Sequence, residues 1–312
     1  MNRRVLPLVV GSLILTVGCR GSDDPTGPEI VDRPFCSGQP VTAIPTFPDA
    51  NLKAAIRAAL GLSARDHLTC GVVAGLTDFT ASDAGITSLL GIRNLTNLKT
   101  LSLDNNSITD ISTLSGLTSL TYLDLNNNPI ADISPLSGLT SLRKLWLDHT
   151  PITDISPLSG LTGLTGLHIY GNAITVADIS FLSAFTSLRE LTLALGEAEF
   201  TDISALGGLT HLALLSLGYN LITDISPLSG LTTLHWLDLR FNEIADISAL
   251  SGLANLRFLF LDNNESLSNI QPLLDNTGLG AGDIVGLSSA SVSCPDVAAL
   301  QGKGVTVTSD CS

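Results

Sequence analysis

Nine residues, DISPLSGLT, stand at positions 132–140 and recur letter for letter at 154–162 and 224–232. Aligned on the apolar residue that opens each unit, Leu95, Leu117, Leu139 and Leu161 are 22 apart. Phe185 and Leu209 follow after steps of 24, and Leu231 and Leu253 return to 22. A worn copy begins near Val73 and keeps Leu76, Phe79, Ala81 and Ile86 in register, which makes about nine units. No segment this short encloses a core of its own. A chain written this way must bury each unit against the next, so it forms a stack.

Within a unit the pattern is LxxLxLxxNxI, as in Leu117, Leu120, Leu123, Leu125, Asn128 and Ile130. The alternation around Leu123-Asp124-Leu125 predicts a short strand with its leucines inward and Asp124 outward. Stacked strands then line one side of a coil as a parallel sheet. Asn106, Asn128, Asn172, Asn220, Asn242 and Asn264 share the place where the chain turns inward, and an amide there can satisfy backbone groups of adjacent turns. The DISPL segment supplies the return. Ser134 is expected to cap a short 3-10 turn, Pro135 to take its first position, and Ile133 and Leu136 to reach the core. Asp110, Asp132, Asp154, Asp178, Asp202, Asp224 and Asp246 form a ladder that suggests calcium. Their place before the Ile-Ser of a turn favours a structural role instead, and no metal is expected.

This pattern resembles the leucine-rich repeat, and the 22-residue form with DISPLSGLT most resembles its internalin-like bacterial branch. The resemblance covers residues 73 to about 274. It implies an α/β solenoid, a horseshoe of about nine 22–24-residue units with the parallel sheet on the concave face and the 3-10 turns on the convex face. It also implies recognition without catalysis. Residues 48–61, PDANLKAAIRAALG, read as one amphipathic helix with Asp49 as cap and Gly61 as stop, and look like the helical lid that precedes internalin-like repeats. After the repeats, AGDIVGL, then 295–301, then 304–308 suggest strand, helix and strand, a small αβ cap. A bare terminal repeat would expose core leucines, so caps are a necessity of the architecture.

The chain opens with Arg3 and Arg4 before an apolar run at 5–18. As a helix that run would be roughly 21 Å long, short of the ~30 Å hydrocarbon core, so it reads as a secretion signal. It ends in Leu15-Thr16-Val17-Gly18-Cys19, which resembles a bacterial lipoprotein signal. The resemblance implies cleavage before Cys19 and a diacylglycerol on its thiol. Gly18 fits that pattern, whereas the usual Leu three places before the Cys is here Thr16. An ordinary signal peptide cut nearby is the competing reading. Arg20 in place of Asp points to the outer membrane if the cell is Gram-negative.

The expected organisation is a signal peptide at 1–18, a Gly-, Pro- and Asp-rich tether at 19–34, an N-terminal cap at 35–72, repeats at 73–274 and a C-terminal cap at 275–312. Cys36 and Cys70 precede the repeats, and Cys294 and Cys311 follow them. Four cysteines allow three pairings. A solenoid between the two ends leaves only Cys36–Cys70 and Cys294–Cys311 within a bridge's Cα spacing of about 4.4–6.8 Å. Zinc is the weaker alternative, since no CxxC is present. The formal charge is −14, and without Arg3 and Arg4 it is −16, from 13 basic against 29 acidic residues. Such a chain lacks the Lys/Arg surplus that neutralises phosphates, which excludes nucleic acid.

In a solenoid the outward residues of the sheet vary without harming the stack. Both Trp and all three Tyr of the chain fall on or just beyond these places. Trp, Tyr and Arg are the residues that anchor interfaces. The candidate ligand-binding set is therefore Tyr122, Asp124, Lys144, Trp146, His168, Tyr170, Tyr219, Trp236, Asp238, Arg240 and Phe241. The competing reading is that the rings pack on one another and merely cover the sheet, and it is strongest for Phe258 and Phe260. The 24-residue units carry extra residues around 175–177 and 196–200, which either shape a partner's footprint or are tolerated slips.

The expected function is a non-catalytic, lipid-anchored, monomeric envelope protein that binds another protein and needs no cofactor. A surface polysaccharide is the rival ligand, because Trp and Tyr faces beside Asp and Asn also suit sugar rings. A hydrolase would use His168 near Asp148 and needs a nucleophile, but Ser216 lies two units away.

Overall fold

The computed structural model of the chain describes residues 36, 38–172, 174, 179–194 and 200–311. The signal segment, Cys19 and the tether lie outside the described residues, as do Asp178, Leu195 and the insertions at 175–177 and 196–199.

Among the described residues eleven short strands lie side by side in chain order, all parallel: β1 (Asp78–Thr80), β2 (Thr100–Ser102), β3 (Tyr122–Asp124), β4 (Lys144–Trp146), β5 (Gly166–Tyr170), β6 (Glu190–Ala194), β7 (Leu214–Ser216), β8 (Trp236–Asp238), β9 (Phe258–Phe260), β10 (Ile284–Gly286) and β11 (Thr306–Thr308). Pairing follows the sequence period, so Leu101 faces Leu123, which faces Leu145, which faces Leu167. These leucines are fully buried, as are Ile133 and Leu136 of the return segment. Phe185, which replaces the opening Leu of its unit, is equally buried. The worn copy contributes β1, with Phe79 inward.

The asparagine ladder works as its position predicts. Asn128 Nδ2 donates to Leu103 O at 2.9 Å in the preceding turn and to Leu125 O at 3.1 Å in its own, while its Oδ1 accepts from Ile108 N at 3.1 Å. Asn106, Asn242 and Asn264 repeat the arrangement. Where the ladder lapses, the Thr150 hydroxyl lies 2.9 Å from Leu147 O and 2.5 Å from Asn172 Oδ1.

The return turns correct one expectation. Ser134 does not cap: it is the first residue of the 3-10 turn Ser134–Leu136, Pro135 is the second, and the flanking Ile133 carries no capping side chain. The cap is Asp132, whose Oδ1 accepts from Ser134 N at 2.8 Å. Asp110, Asp154, Asp202, Asp224 and Asp246 do the same at 2.8 Å. A carboxylate two residues upstream reaches the first free N–H of the turn, an Asx-type cap. Bonding to the serine N–H and hydroxyl holds Asp132, Asp202 and Asp224 below the ordinary carboxylate range. The described part of the ladder is thus consumed one turn at a time. Among the described residues no three Asp, Glu, His or Cys side chains group as metal ligands.

Helix α1 (Ala50–Ala59) closes the first repeat with Leu52 and Ile56. Asp49 accepts from Leu52 N at 2.9 Å with one oxygen, and with the other from Thr87 N, the Thr87 hydroxyl and Ser88 N at 2.9–3.0 Å, so a single carboxylate caps the helix and pins it to the array. The helix ends where Gly61 takes φ +64°, with Gly61 N donating to Ala58 O and Leu62 N to Arg57 O, a Schellman closure. Cys36–Cys70 joins this region, with Cα atoms 5.2 Å apart, to the start of α2 (Cys70–Val73). At the other end come α3 (Gln271–Asp275) and α4 (Cys294–Gly302), and β10 and β11 simply continue the sheet. Cys294–Cys311, at a Cα distance of 5.5 Å, ties α4 to the end of the chain. Lys303 Nζ donates to Leu273 O at 3.1 Å and Leu274 O at 2.9 Å, which satisfies carbonyls at the end of α3.

Candidate functional site

The first and third residues of each strand project from the outer surface of the sheet, and the register sets each beside its counterpart. Two clusters form there. On β3 to β5, the Tyr122 and Trp146 rings meet edge to face at 5.1 Å, and Trp146 meets His168 at 5.4 Å. Lys144 bonds to Glu190 at 3.1 Å, although the two are separated by β5. They reach each other because Gly166 stands between them: a Cβ there would already touch both at 3.4 Å. His168 Nδ1 lies 3.9 Å from Asp148 Oδ2. His149, just beyond β4, meets Tyr170 at the end of β5 edge to face at 5.1 Å.

The second cluster lies on β8 and β9. Trp236 is flanked by Phe258 at 5.0 Å and Phe260 at 5.3 Å. Arg240 forks onto Asp238, with Nε at 2.9 Å and Nη2 at 2.7 Å, and its guanidinium stands 5.2 Å from the Phe260 centroid. At the end of this cluster Tyr219 and Phe241 stack at 4.3 Å, still 48% and 40% exposed. Between the clusters, β6 and β7 present Glu190, Thr192, Leu214 and Ser216, with no ring. Trp146 on β4 and Trp236 on β8 are four strand spacings apart, roughly 19 Å. All the predicted residues thus share one surface, divided into two groups.

Burial decides the electrostatics. Asp124 lies on the outer surface yet is only 6% exposed, beside Tyr122 and in register with Trp146. Burial pushes its carboxyl above the ordinary range, and the charges of Asp104 and Asp148 add to this, against the bond it accepts from Asn126 N. Burial, then Asp124, raises the Tyr122 phenol. Burial lowers the His168 imidazole despite the nearby Asp148 carboxylate. Hydrogen bonding to Asp238 raises the Arg240 guanidinium. Among the described residues, Trp146 Nε1 and His168 Nε2 are enclosed without a hydrogen-bond partner.

Three members of the surface stand in a conformation that rings rarely adopt. His149, Tyr219 and Phe241 have φ of 54°, 61° and 55°. At the same place in other units stand Asn105, Asn127, Gly171 and Asn263, residues that tolerate the left-handed region. A bulky side chain there costs about 1–2 kcal/mol. Such strain persists only where surrounding structure imposes it, and it concentrates at functional surfaces.

Among the described residues the predicted hydrolase partners do not come together. Ser216 is two strands from His168, roughly 10 Å, and its hydroxyl is 3.5 Å from Asp238 instead. The candidate set left out Glu190, Phe258 and Phe260, although the sequence pattern places all three outward on the sheet. The signal for Glu190 was the glycine at 166, one unit after Lys144 and one before Glu190 in the same column.

Two leucine-rich-repeat profiles match the chain: one of tandem repeats at 96–138, 118–160, 140–184 and 232–275, the other at 186–244. A comparison with curated proteins returns no match. Among solved structures, the internalin InlF of Listeria monocytogenes is 32% identical, with 85% of this chain and 92% of that one covered at a TM-score of 0.58. Internalin C2 of the same organism is 33% identical, covering 86% and 100% at 0.55. The functional domain of InlJ, also from Listeria monocytogenes, shares the fold at 24% identity, covering 85% and 60% at 0.68.

Proposed function

Because this chain belongs to the internalin-type leucine-rich repeat proteins, we propose that it binds another protein through the aromatic surface of its sheet. Leucine-rich repeat proteins of this kind are binding scaffolds without catalytic chemistry. The observation that carries the finer reading is the placement of the rings. Both Trp and all three Tyr of the chain gather on or at the margin of the one surface the stack leaves free, at strained backbone in the case of Tyr219. Anchors of this type contribute on the order of 2 kcal/mol each when a partner desolvates them. The site comprises Tyr122, Asp124, Lys144, Trp146 and His168 in one group and Trp236, Asp238 and Arg240 in the other, with Tyr170, Tyr219 and Phe241 at the margin. Its two halves suit a partner that spans both clusters.

The protein acts as an exported monomer held at the cell envelope by lipid on Cys19, in the outer membrane if the cell is Gram-negative. Two disulfides support an oxidising compartment. Among the described residues no helix is long and apolar enough to cross a membrane. Three measurements test the reading. Affinity capture from envelope extract is compared between the full chain and a Trp146→Ala/Trp236→Ala variant; unchanged capture by a variant with lowered melting temperature means the rings only cover the sheet. Capture that survives protease treatment of the extract and is lost on periodate oxidation identifies a glycan instead. Cys19→Ala should move the protein from the membrane fraction to the soluble one.

A further inference from the structure

The two clusters contain the same constellation, complete in one and incomplete in the other. On β8 an aromatic residue and an aspartate sit two apart, Trp236 and Asp238, and Asp238 lies in register with a ring on the next strand, Phe260. On β3 the same pair is Tyr122 and Asp124, and Asp124 lies in register with Trp146. Both aspartates are buried, at 8% and 6% exposure. At β8 the chain completes the site itself: Arg240, two residues on, forks onto Asp238 and lies over Phe260.

At β3 the corresponding residue is Asn126, which carries no charge and whose Oδ1 is occupied by Asp148 N at 2.6 Å. Asp124 keeps one backbone bond, from Asn126 N at 3.0 Å, and a 3.5 Å contact from the Tyr122 hydroxyl, at the limit of a hydrogen bond. Among the described residues it has no cationic partner, and neighbouring Lys144 is engaged by Glu190 at 3.1 Å. Asp104 and Asp148 add their charges, and the carboxyl is held above its ordinary range, chiefly by burial. A buried carboxylate beside two rings, without a counter-ion, lacks one group.

We propose that this incomplete copy accepts an arginine side chain from the protein partner, its guanidinium forked on Asp124 and stacked on Trp146 as Arg240 lies on Asp238 and Phe260. The inference rests on the reading of the sheet surface as a protein-binding site. Arginine is the occupant because a planar fork satisfies both carboxylate oxygens and stacks on a ring at once, which an ammonium cannot do. The Tyr122 hydroxyl contact it would replace is long, at 3.5 Å, and the charge of −14 on the chain favours a cationic approach.

The test uses the full chain carrying Trp236→Phe, so that Trp146 is the sole indole. It is titrated with capped Gly-Arg-Gly peptide and with the uncharged citrulline analogue, following Trp146 fluorescence and its indole N–H resonance. A saturable response to the arginine peptide is expected, about tenfold or more weaker for citrulline and for Asp124→Asn. Asn126→Arg, which supplies a guanidinium from the place Arg240 occupies, should abolish the response while the chain keeps a cooperative melt. A silent Trp146, a citrulline response equal to that of arginine, or an undiminished response in Asn126→Arg overturns the proposal. The broader reading fails separately, when partner capture ignores the loss of both tryptophans, whatever the arginine peptide does.

Discussion

Replacing Asn128 by Ala removes the amide that ties two consecutive turns together, and its cost can be worked from the contacts. Asn128 is 2% exposed. Its loss strips a donor from Leu103 O and Leu125 O and an acceptor from Ile108 N, bonds of 2.9, 3.1 and 3.1 Å. An unsatisfied buried main-chain group costs about 1–3 kcal/mol, and relaxation or an entering water offsets part of it, so a total of about 3–5 kcal/mol is expected. Urea unfolding with the disulfides intact gives the total. Amide exchange gives the location: Ile108 N–H should lose protection first, because a solenoid distributes stability through nearest-neighbour interfaces. Asn128→Asp keeps the acceptor and sets a negative charge against two carbonyls, so it should be at least as damaging at neutral pH. A loss below about 1 kcal/mol, or a uniform rise in exchange, would refute the view that the ladder holds the turns together.

Four further outcomes follow from the same structure. Asp49→Ala should cost about 2 kcal/mol, the upper end for a helix cap, because it also releases Thr87 and Ser88. Burial pushes that carboxyl up, but bonds from Leu52, Thr87 and Ser88 outweigh it and the folded value is lowered. Its contribution is therefore complete above the unfolded value near ~3.9 and disappears as pH falls through the folded one, so acid titration of wild type and variant should converge there. Cys294→Ser with Cys311→Ser opens a loop of sequence separation 17 and should lower stability by about 3 kcal/mol in denaturant titration. Gly278→Ala drives a Cβ into the Ala254 backbone and should destabilise the C-terminal region by more than about 2 kcal/mol, read as early loss of protection in β10 and β11. Phe241→Asn relieves left-handed strain but gives up the Tyr219 stack. The two terms are each about 1 kcal/mol, so the melting temperature should barely move while partner affinity falls.

Much of this architecture was legible before any coordinate. The 22-step leucines, the Asn column and the caps at Asp49 and Gly61 obey local rules, and each appears where its rule places it. The aspartate ladder was read as structural but the capping role was given to the serine, because spacing alone does not say which of two polar neighbours reaches the free N–H. The site was legible as a surface and not as a constellation. That Lys144 meets Glu190 depends on register, on one glycine and on 46 residues of chain returning to the same sheet. That Asp124 is buried depends on packing of side chains from adjacent strands.

Repetition by itself determined the stack, its parallel sheet and the surface left open, since a short unit with an apolar stripe has only its copies to bury it against. Tertiary structure alone decided that the rings divide into two groups, that Arg240 neutralises one buried aspartate, and that Asp124 goes without a counter-ion among the described residues. The physical reason is distance. Inward positions obey a period carried within each unit, whereas charge compensation across a sheet depends on side chains one or two units apart coming within a few ångströms.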